Sequence, residues 1–288
     1  MSIVSNPNTQ ATEMELITRI VQEELLENTV IMGSMTDYSG LVEDGIKSLE
    51  IPRFEADTTP GSGRLGDPNT QNPDGTTPVA FQTATLTTDV INLDDWRNLS
   101  YRIADRVKMQ SRVPLEAELA RKAGQEFAIY VDKTLRDQLN TLTAEVNYGG
   151  SGVDTMSLAA ITEARRDLNK ENVPQSDRIL LISPDKEKDM LDIPNFIEAD
   201  KYGSRQALLN GEIGQVFGFR VLVSNILLDD EAYAYHRECI GFAMQKQVQF
   251  ETDRPSVALQ VTDYGYSAGW GYTVMYDGRK GIKFTVAP

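Results

Sequence analysis

Apolar positions along this chain follow two periods, and the places where one gives way to the other divide it. Over residues 12–27, Ile17, Ile20, Val21 and Leu25 fall on one helical face. Thr12 and Glu15 have capping-box spacing, so the pattern predicts a helix starting there. No apolar segment follows closely in sequence, so this helix must pack on something distant. Residues 48–54, SLEIPRF, alternate like a strand with Leu49 and Ile51 on one face. Pro52 confines that strand to a sheet edge, because proline cannot donate to a ladder. Strand character returns at 79–86 and 90–93. Between these runs, residues 55–78 hold four prolines and four glycines, with Leu65 as the one large apolar side chain. Such a segment cannot bury enough surface to fold on itself, and loops this long are usually functional or disordered.

The strongest signal spans residues 114–143. Leu115, Leu119, Ala123, Phe127, Val131, Leu135 and Leu139 recur every fourth residue, and Pro114 suits a first helical turn. A rise of about 1.5 Å per residue makes this a rod of about 45 Å. Its slow drift at period four marks a packing face, not a coiled-coil heptad. NYGGSG at 147–152 predicts a break. Beyond it, Leu158, Ile161, Ala164 and Leu168 predict a second amphipathic helix, stopped near Asn172 and Pro174. RILLIS at 178–183 reads as a buried strand, and a short helix starts at 184. Strands are then predicted at 219–225, 232–236, 239–244, 248–252, 257–261, 270–276 and 282–286, with Asp277-Gly278 as a turn between the last two. The fold class is α+β.

Composition narrows the function. The net charge of -15, from 28 basic and 43 acidic side chains, argues against a free-standing nucleic-acid binder and against an anionic membrane surface. The charge is uneven: residues 101–138 carry eight basic and six acidic side chains, so the excess acid lies elsewhere. One cysteine, Cys239, excludes an internal disulfide framework and fits a reducing compartment. No apolar run approaches the roughly 20 residues that span a bilayer, and the first residues lack signal-peptide character. The expected product is soluble.

Candidate chemical motifs dissolve in context. Gly211, Gly214 and Gly218 in NGEIGQVFGFRVLVSN precede a strand, where a phosphate loop needs a lysine and a helix N-terminus. They read as turn chemistry. Gly61-Ser62-Gly63-Arg64-Leu65-Gly66 matches the dinucleotide spacing but lacks the strand before it and the helix after it. Ser183-Pro184-Asp185-Lys186 matches an acyl-enzyme motif without its companions, and Ser183 reads better as a helix N-cap. His236 and Cys239 are too few for a zinc site. Asp229-Asp230-Glu231 reads as a charged turn, and Asp67-x-Asn69-x-Gln71 lacks the rest of a calcium loop. No catalytic, cofactor-binding or metal-binding residue is assigned.

What remains is structural: a long polar loop framed by strands, a rod-like helix and an orphan N-terminal helix. A loop that cannot fold alone needs a partner to lie on, and another copy of the chain is the obvious one. In this order the chain resembles the major capsid proteins of tailed bacteriophages, with the Hong Kong phage ninety-seven-type fold. The most specific stretch is RILLISPDKEKDMLDIP through YGSRQALLNGEIGQVFGFRVLVSNIL. The resemblance implies an N-terminal arm over 1–47 and an extended E-loop over 48–81. It implies a peripheral domain over 82–150 and 246–288, with 114–143 as its spine helix, and an axial domain over 151–245. It implies a virion subunit, assembled in the host cytoplasm into hexamers and pentamers of an icosahedral head. That head would enclose double-stranded DNA without gripping it, with a scaffolding protein and a portal as further partners and no membrane.

Arg53, Arg64 and Phe81 are the residues expected to touch a neighbouring subunit, and Trp96, Phe127 and Trp270 are expected in the peripheral core. Two departures from the family matter. No lysine lies between Lys47 and Lys108, so the isopeptide crosslink of some members is not expected. The short N-terminal stretch leaves no room for a fused scaffolding segment, so a separate scaffold is expected. Two other readings stay open: an encapsulin-type nanocompartment shell, and a soluble enzyme that works with a pair of carboxylates in a cleft.

Overall fold

A computed structural model describes residues 7–43, 45–54, 86–111, 115–149, 155–192, 214–255 and 260–286. Its helices are α1 (Pro7–Asn28), α2 (Asp105–Gln110), α3 (Leu115–Asn140), α4 (Leu158–Lys170) and α5 (Pro184–Leu191). The strands are β1 (Thr36–Asp37), β2 (Ser48–Phe54), β3 (Leu86–Asn92), β4 (Asp95–Ala104), β5 (Glu145–Tyr148), β6 (Arg178–Ile182), β7 (Gln215–Val216), β8 (Phe219–Val223), β9 (Ala232–His236), β10 (Ile240–Asp253), β11 (Val261–Val274) and β12 (Gly281–Val286). They form a four-stranded sheet in the order β1-β10-β11-β4, a six-stranded sheet in the order β5-β12-β9-β6-β8-β7, and the hairpin β2-β3.

The four-stranded sheet is built on two 14-residue strands. The separate runs read at 239–244 and 248–252 are one strand, β10, interrupted by register shifts between Met244 and Lys246 and between Lys246 and Gln249. Each bulge resets the alternation, which is why the pattern looks broken in sequence. One face of the sheet carries Phe250, Tyr264, Tyr266, Ala268 and Trp270, all buried, and α3 lies in the same core. Phe127 meets Trp270 edge to face, with centroids 6.2 Å apart. Trp96 is the exception to the expected core. It is 54% exposed because its cross-strand neighbour on β11 is Gly269, and the indole spreads over that glycine with its outer face open.

Helix α1 finds its distant partner in α3. Ile17, Val21 and Leu25 are buried against the Ala120–Val131 stretch of the spine. The helix begins at Pro7, five residues before Thr12, so the Thr12–Glu15 pair lies inside it and not at its cap. Proline at the first helical position costs nothing, since its missing N–H would have had no partner. Where the helices cross, α3 presents Ala120, Ala123, Gly124 and Ala128. A methyl group on Gly124 would sit 2.7 Å from Glu24 Cβ and 2.8 Å from the Val21 carbonyl oxygen. The two backbones therefore touch there.

The six-stranded sheet has its own core of Val146, Ile161, Ala164, Leu168, Leu180, Ile182, Phe219, Ala234, Ile282 and Phe284. Strands β5 and β12 belong to this sheet, parallel to one another, with β12 antiparallel to β9. Residues 145–148 and 281–286 thus sit with the 178–236 strands and not with the long-strand sheet. Ser183 caps α5 by accepting from the Lys186 amide, with Pro184 at the first position. Phe217 and Gly218 have φ of 48° and 85°, the paired positive values of a tight hairpin turn between β7 and β8. Gly218 is thus turn chemistry that feeds a strand, while Gly211 lies outside the described residues.

Replacing Gly124 with alanine should destabilise the protein despite the higher helix propensity of alanine. The propensity gain is about 1 kcal/mol, while overpacking against backbone costs about 1–3 kcal/mol. A thermal melt a few degrees lower, with earlier proteolytic release of α1, is the expected result; an unchanged or higher melting temperature would show that the helices separate freely.

Candidate functional site

Among the described residues, no group of three or more His, Cys, Asp or Glu side chains is placed to hold a metal ion. Burial pushes the Cys239 thiol up to about 12, so it is inert at neutral pH. The features that call for explanation are instead two anchors, from which the N-terminal helix and the β2-β3 hairpin depart.

The first anchor is Asp132. It lies on the buried stripe of α3 and is fully buried itself. Its carboxylate accepts the backbone N–H groups of Val30 at 2.7 Å, Ile31 at 3.1 Å and Met32 at 3.0 Å. These donors lie in the elbow just past the end of α1. Burial pushes the carboxyl of Asp132 above its ordinary range, against the downward pull of the three N–H groups. Ser34, also buried, donates to the Ile31 carbonyl at 2.6 Å and shares a 2.6 Å hydrogen bond with Tyr235 of β9. One elbow thereby joins the arm to α3 and to the second sheet.

The second anchor is the root of the hairpin. Strands β2 and β3 pair antiparallel from Ser48–Asn92 to Phe54–Leu86, so residues 55–85 connect them. Ile91, Leu93 and Ala243 form a small core with Tyr38, Val42, Ile46, Leu49 and Ile51 around it. The close fit is at Gly271 of β11, where an added methyl would meet the Asn92 carbonyl oxygen at 2.1 Å. The hairpin root lies across the long strands on a seat that only glycine leaves open.

Charge fixes the hairpin laterally. Arg53 of β2 donates from Nη2 to Asp277 Oδ2 at 2.7 Å, and its Nε lies 3.5 Å from Asp89 Oδ2 of β3. Asp89 also accepts the Tyr276 amide at 3.1 Å. Tyr276, Asp277 and Gly278 all have positive φ, between 53° and 75°. Two non-glycine residues in that region carry strain, and the carboxylate of Asp89 holds the turn in it. The Tyr276 ring faces Lys280 Nζ at 3.3 Å and the Arg53 guanidinium carbon at 5.4 Å from its centroid. Lys280 pairs in turn with Glu238 at 2.5 Å, which holds the Glu238 carboxyl below its ordinary range. Beside it, His236 is buried and accepts the Glu238 amide on Nδ1 at 3.3 Å. Desolvation lowers its pKa from the ordinary 6.5; the nearby Glu238 pulls the other way without prevailing.

Of the three residues expected to touch a neighbour, Arg53 is thus held within its own chain, its side chain 9% exposed. Arg64 and Phe81 lie outside the described residues, as do the 61–66 glycine motif and the Asp67–Gln71 run. Sequence reading missed Asp132, Asp89 and Gly271. Asp132 left a signal: an acid at the i+4 position from Ala128 on an otherwise apolar stripe. Asp89 and Gly271 left none, because Tyr276 and Asn92, the backbone partners that define their roles, are about 180 residues away.

Comparison with known proteins gives this geometry a context. The sequence model of the family described as phage capsid protein matches residues 108–271, more than half of the chain. No curated protein matches. Among solved structures, one from Mycobacterium phage Che8 is 20% identical with a TM-score of 0.71, covering 89% of this chain and 90% of that one. The capsid structure of the cyanophage P-SCSP1u is 17% identical with a TM-score of 0.71, over 90% of this chain and 88% of that one. A virus-like particle from Pyrococcus furiosus is 8% identical with a TM-score of 0.62, over 94% and 99%.

Exchanging Gly271 for alanine should cost about 3 kcal/mol through overpacking against a carbonyl and lift the hairpin root. The readout is a lower melting temperature together with faster amide exchange in β2 and β3 than in β6 and β9; uniform exchange would argue against a local seat.

The depressed His236 pKa means the fold prefers neutral imidazole. Its contribution is fully present above pH 6.5 and is lost as pH falls through the lower folded value. The Glu238 contribution is present above its ordinary 4.5 and fades below that. Stability should therefore fall in two stages on acidification. His236→Asn, which keeps an acceptor for the Glu238 amide, should flatten the first stage only; an unchanged slope between pH 6.5 and 5 would remove His236 from the account.

Proposed function

The chain belongs to the phage capsid protein family, and from that premise we propose that it forms the shell of a tailed-phage head as hexamers and pentamers of itself. The observation that carries this reading is the coincidence of family and fold: the family match covers the long helix α3, strands β5 to β10 and most of β11, and capsid structures overlay about nine-tenths of the chain. Around that frame, the arm (1–47) and the E-loop (48–81) are the parts assigned to reach neighbours. The spine helix and long strands form the peripheral domain, and the 151–245 region forms the axial domain. Sheet membership supports grouping β5 and β12 with the axial strands.

The rigid roots support the assignment. A loop with four prolines and four glycines over residues 55–78 gains nothing from a root pinned by Arg53, Asp89 and Gly271 unless its direction matters. Direction matters when the loop must meet a fixed surface on another copy. The net charge of -15 suits a wall that confines DNA without gripping it. Final residence in the virion, assembly in host cytoplasm, and help from a scaffolding protein and a portal complete the reading. A structural role takes the place of carboxylate chemistry. The likeness to the Pyrococcus furiosus virus-like particle keeps a second reading, a cellular nanocompartment shell.

Size exclusion and negative-stain microscopy of the purified full chain test the proposal. Capsomers, tubes or closed shells are expected, growing with protein concentration or with an added scaffolding protein. A stable monomer under all of these conditions overturns it. Particles that carry a folded enzyme as cargo, and no DNA, would select the nanocompartment.

A further inference from the structure

The six-stranded sheet has two chemically opposite ends. At one end, the starts of β6 and β8 and the finish of β9 surround a cleft of about 390 Å³ that Arg178, Arg220 and Arg237 line, with Asp177 as the one carboxylate. Arg178 is buried and spends its donors on uncharged acceptors: the Val173 carbonyl at 2.6 Å, the Pro174 carbonyl at 2.7 Å and Asn169 Oδ1 at 2.8 Å. Arg237 is exposed, and among the described residues its side chain donates to the Met35 carbonyl at 3.3 Å. Arg220 is exposed and has no ion pair among the described residues. In a chain with a large acidic excess, this cleft keeps net positive charge. The hairpin tip beside it presents Phe217, 42% exposed.

At the opposite end lies the turn between β8 and β9. There Asp229 and Asp230 are exposed, with Asp185 exposed at the start of α5 nearby. Lys186 is buried, with its Nζ 3.6 Å from Asp230 and 3.8 Å from Asp189. This end too presents one large apolar side chain, Leu228, 61% exposed. Because β6 and β8 are parallel, the two ends are separated by the length of a five-residue strand, about 16 Å.

We infer that these ends meet head to tail in successive copies, the Asp229–Asp230 turn entering the arginine cleft of the next subunit with Leu228 against Phe217. The inference rests on the shell reading and adds to it a specific contact around the capsomer. An arginine fork receives a carboxylate in two parallel hydrogen bonds, which fixes direction as well as affinity. A surface with opposite charges at its two ends also disfavours head-to-head pairing, where like charges would face each other. Heterologous contacts of this kind close into rings when the rotation permits.

The test uses the full chain, with Arg220→Asp, Asp229→Arg and the double exchange compared by light scattering and sedimentation. Each single exchange should lower the assembled fraction at least about tenfold, and the double should recover to within about threefold of the parent. Melting temperatures should stay together, since both side chains are exposed. Singles that assemble like the parent overturn the inference. So does a double no better than the singles, which would give the cleft to another anion such as DNA phosphate. Independently, Phe217→Cys with Leu228→Cys should form a disulfide ladder between copies under mild oxidation, and its absence also overturns the contact. If the parent itself never assembles, the shell reading falls and takes this with it; a parent that assembles while the variants are indifferent sinks the contact alone.

Discussion

Everything in this fold leans on α3 being buried along two lines at once. One line, through Phe127 and Trp270, packs on the long-strand sheet; the other, through Ala123 and Gly124, packs on α1. A helix with one buried stripe can be covered by one layer. A helix with two needs a second cover, and here that cover comes from about a hundred residues earlier in the chain. The contact is close enough that backbone meets backbone at Gly124. Packing that tight is lost steeply when the surfaces separate, because dispersion falls off within about an ångström. The arm is therefore either seated or released, with little between.

The same economy governs how the projecting parts leave the body. Asp132 satisfies three amides of the elbow after α1, and Asp89 satisfies an amide of the strained Tyr276–Gly278 turn. In both cases a carboxylate on one element fixes the backbone of another element far away in sequence. Arg53 then ties the hairpin to that same turn. The turn joins β11, in one sheet, to β12, in the other, so the hairpin direction is coupled to the angle between the two sheets. Any change in that angle during assembly would swing the hairpin, and a hairpin held by a neighbour would resist it. The network around Tyr276 is where such a demand is felt, and it includes His236 and Glu238, which respond to acid.

Much of this was legible in sequence, for a physical reason. Elements whose apolar period is long and uninterrupted, such as 115–140 and 158–170, appear where the spacing places them. The turn at Phe217-Gly218 and the cap at Ser183 follow from local chemistry alone. Errors arise where local signals meet tertiary context. Trp96 looks like core by its size, yet lies outside because its neighbour across the strands is a glycine. The Thr12–Glu15 pair has capping spacing, but Pro7 starts the helix earlier. The two bulges in β10 split one strand into two apparent runs. Arg53 reads in sequence as a contact for a neighbouring subunit, because its partners within the chain, Asp89 and Asp277, meet it only once the hairpin has folded back. The resemblance to capsid proteins came from the order of elements, and order survives such local errors.

The uneven charge now has a structural reading. Residues 101–138, close to electrically neutral in sequence, run through β4, α2 and α3, the stretch that must pack against α1 and the long strands. Low net charge there lets helix and sheet approach without self-repulsion. The acid excess lies outside that frame, where it keeps free subunits apart in solution. Such repulsion would also oppose assembly unless some surfaces reverse its sign. The arginine cleft at one end of the second sheet is such a surface, and the acidic turn at the other end is its complement. Weak, directional attraction inside general repulsion favours correct geometry, since a misplaced subunit meets mostly like charge. In a shell built this way, closure would follow from the sum of many contacts around each ring and not from any single one.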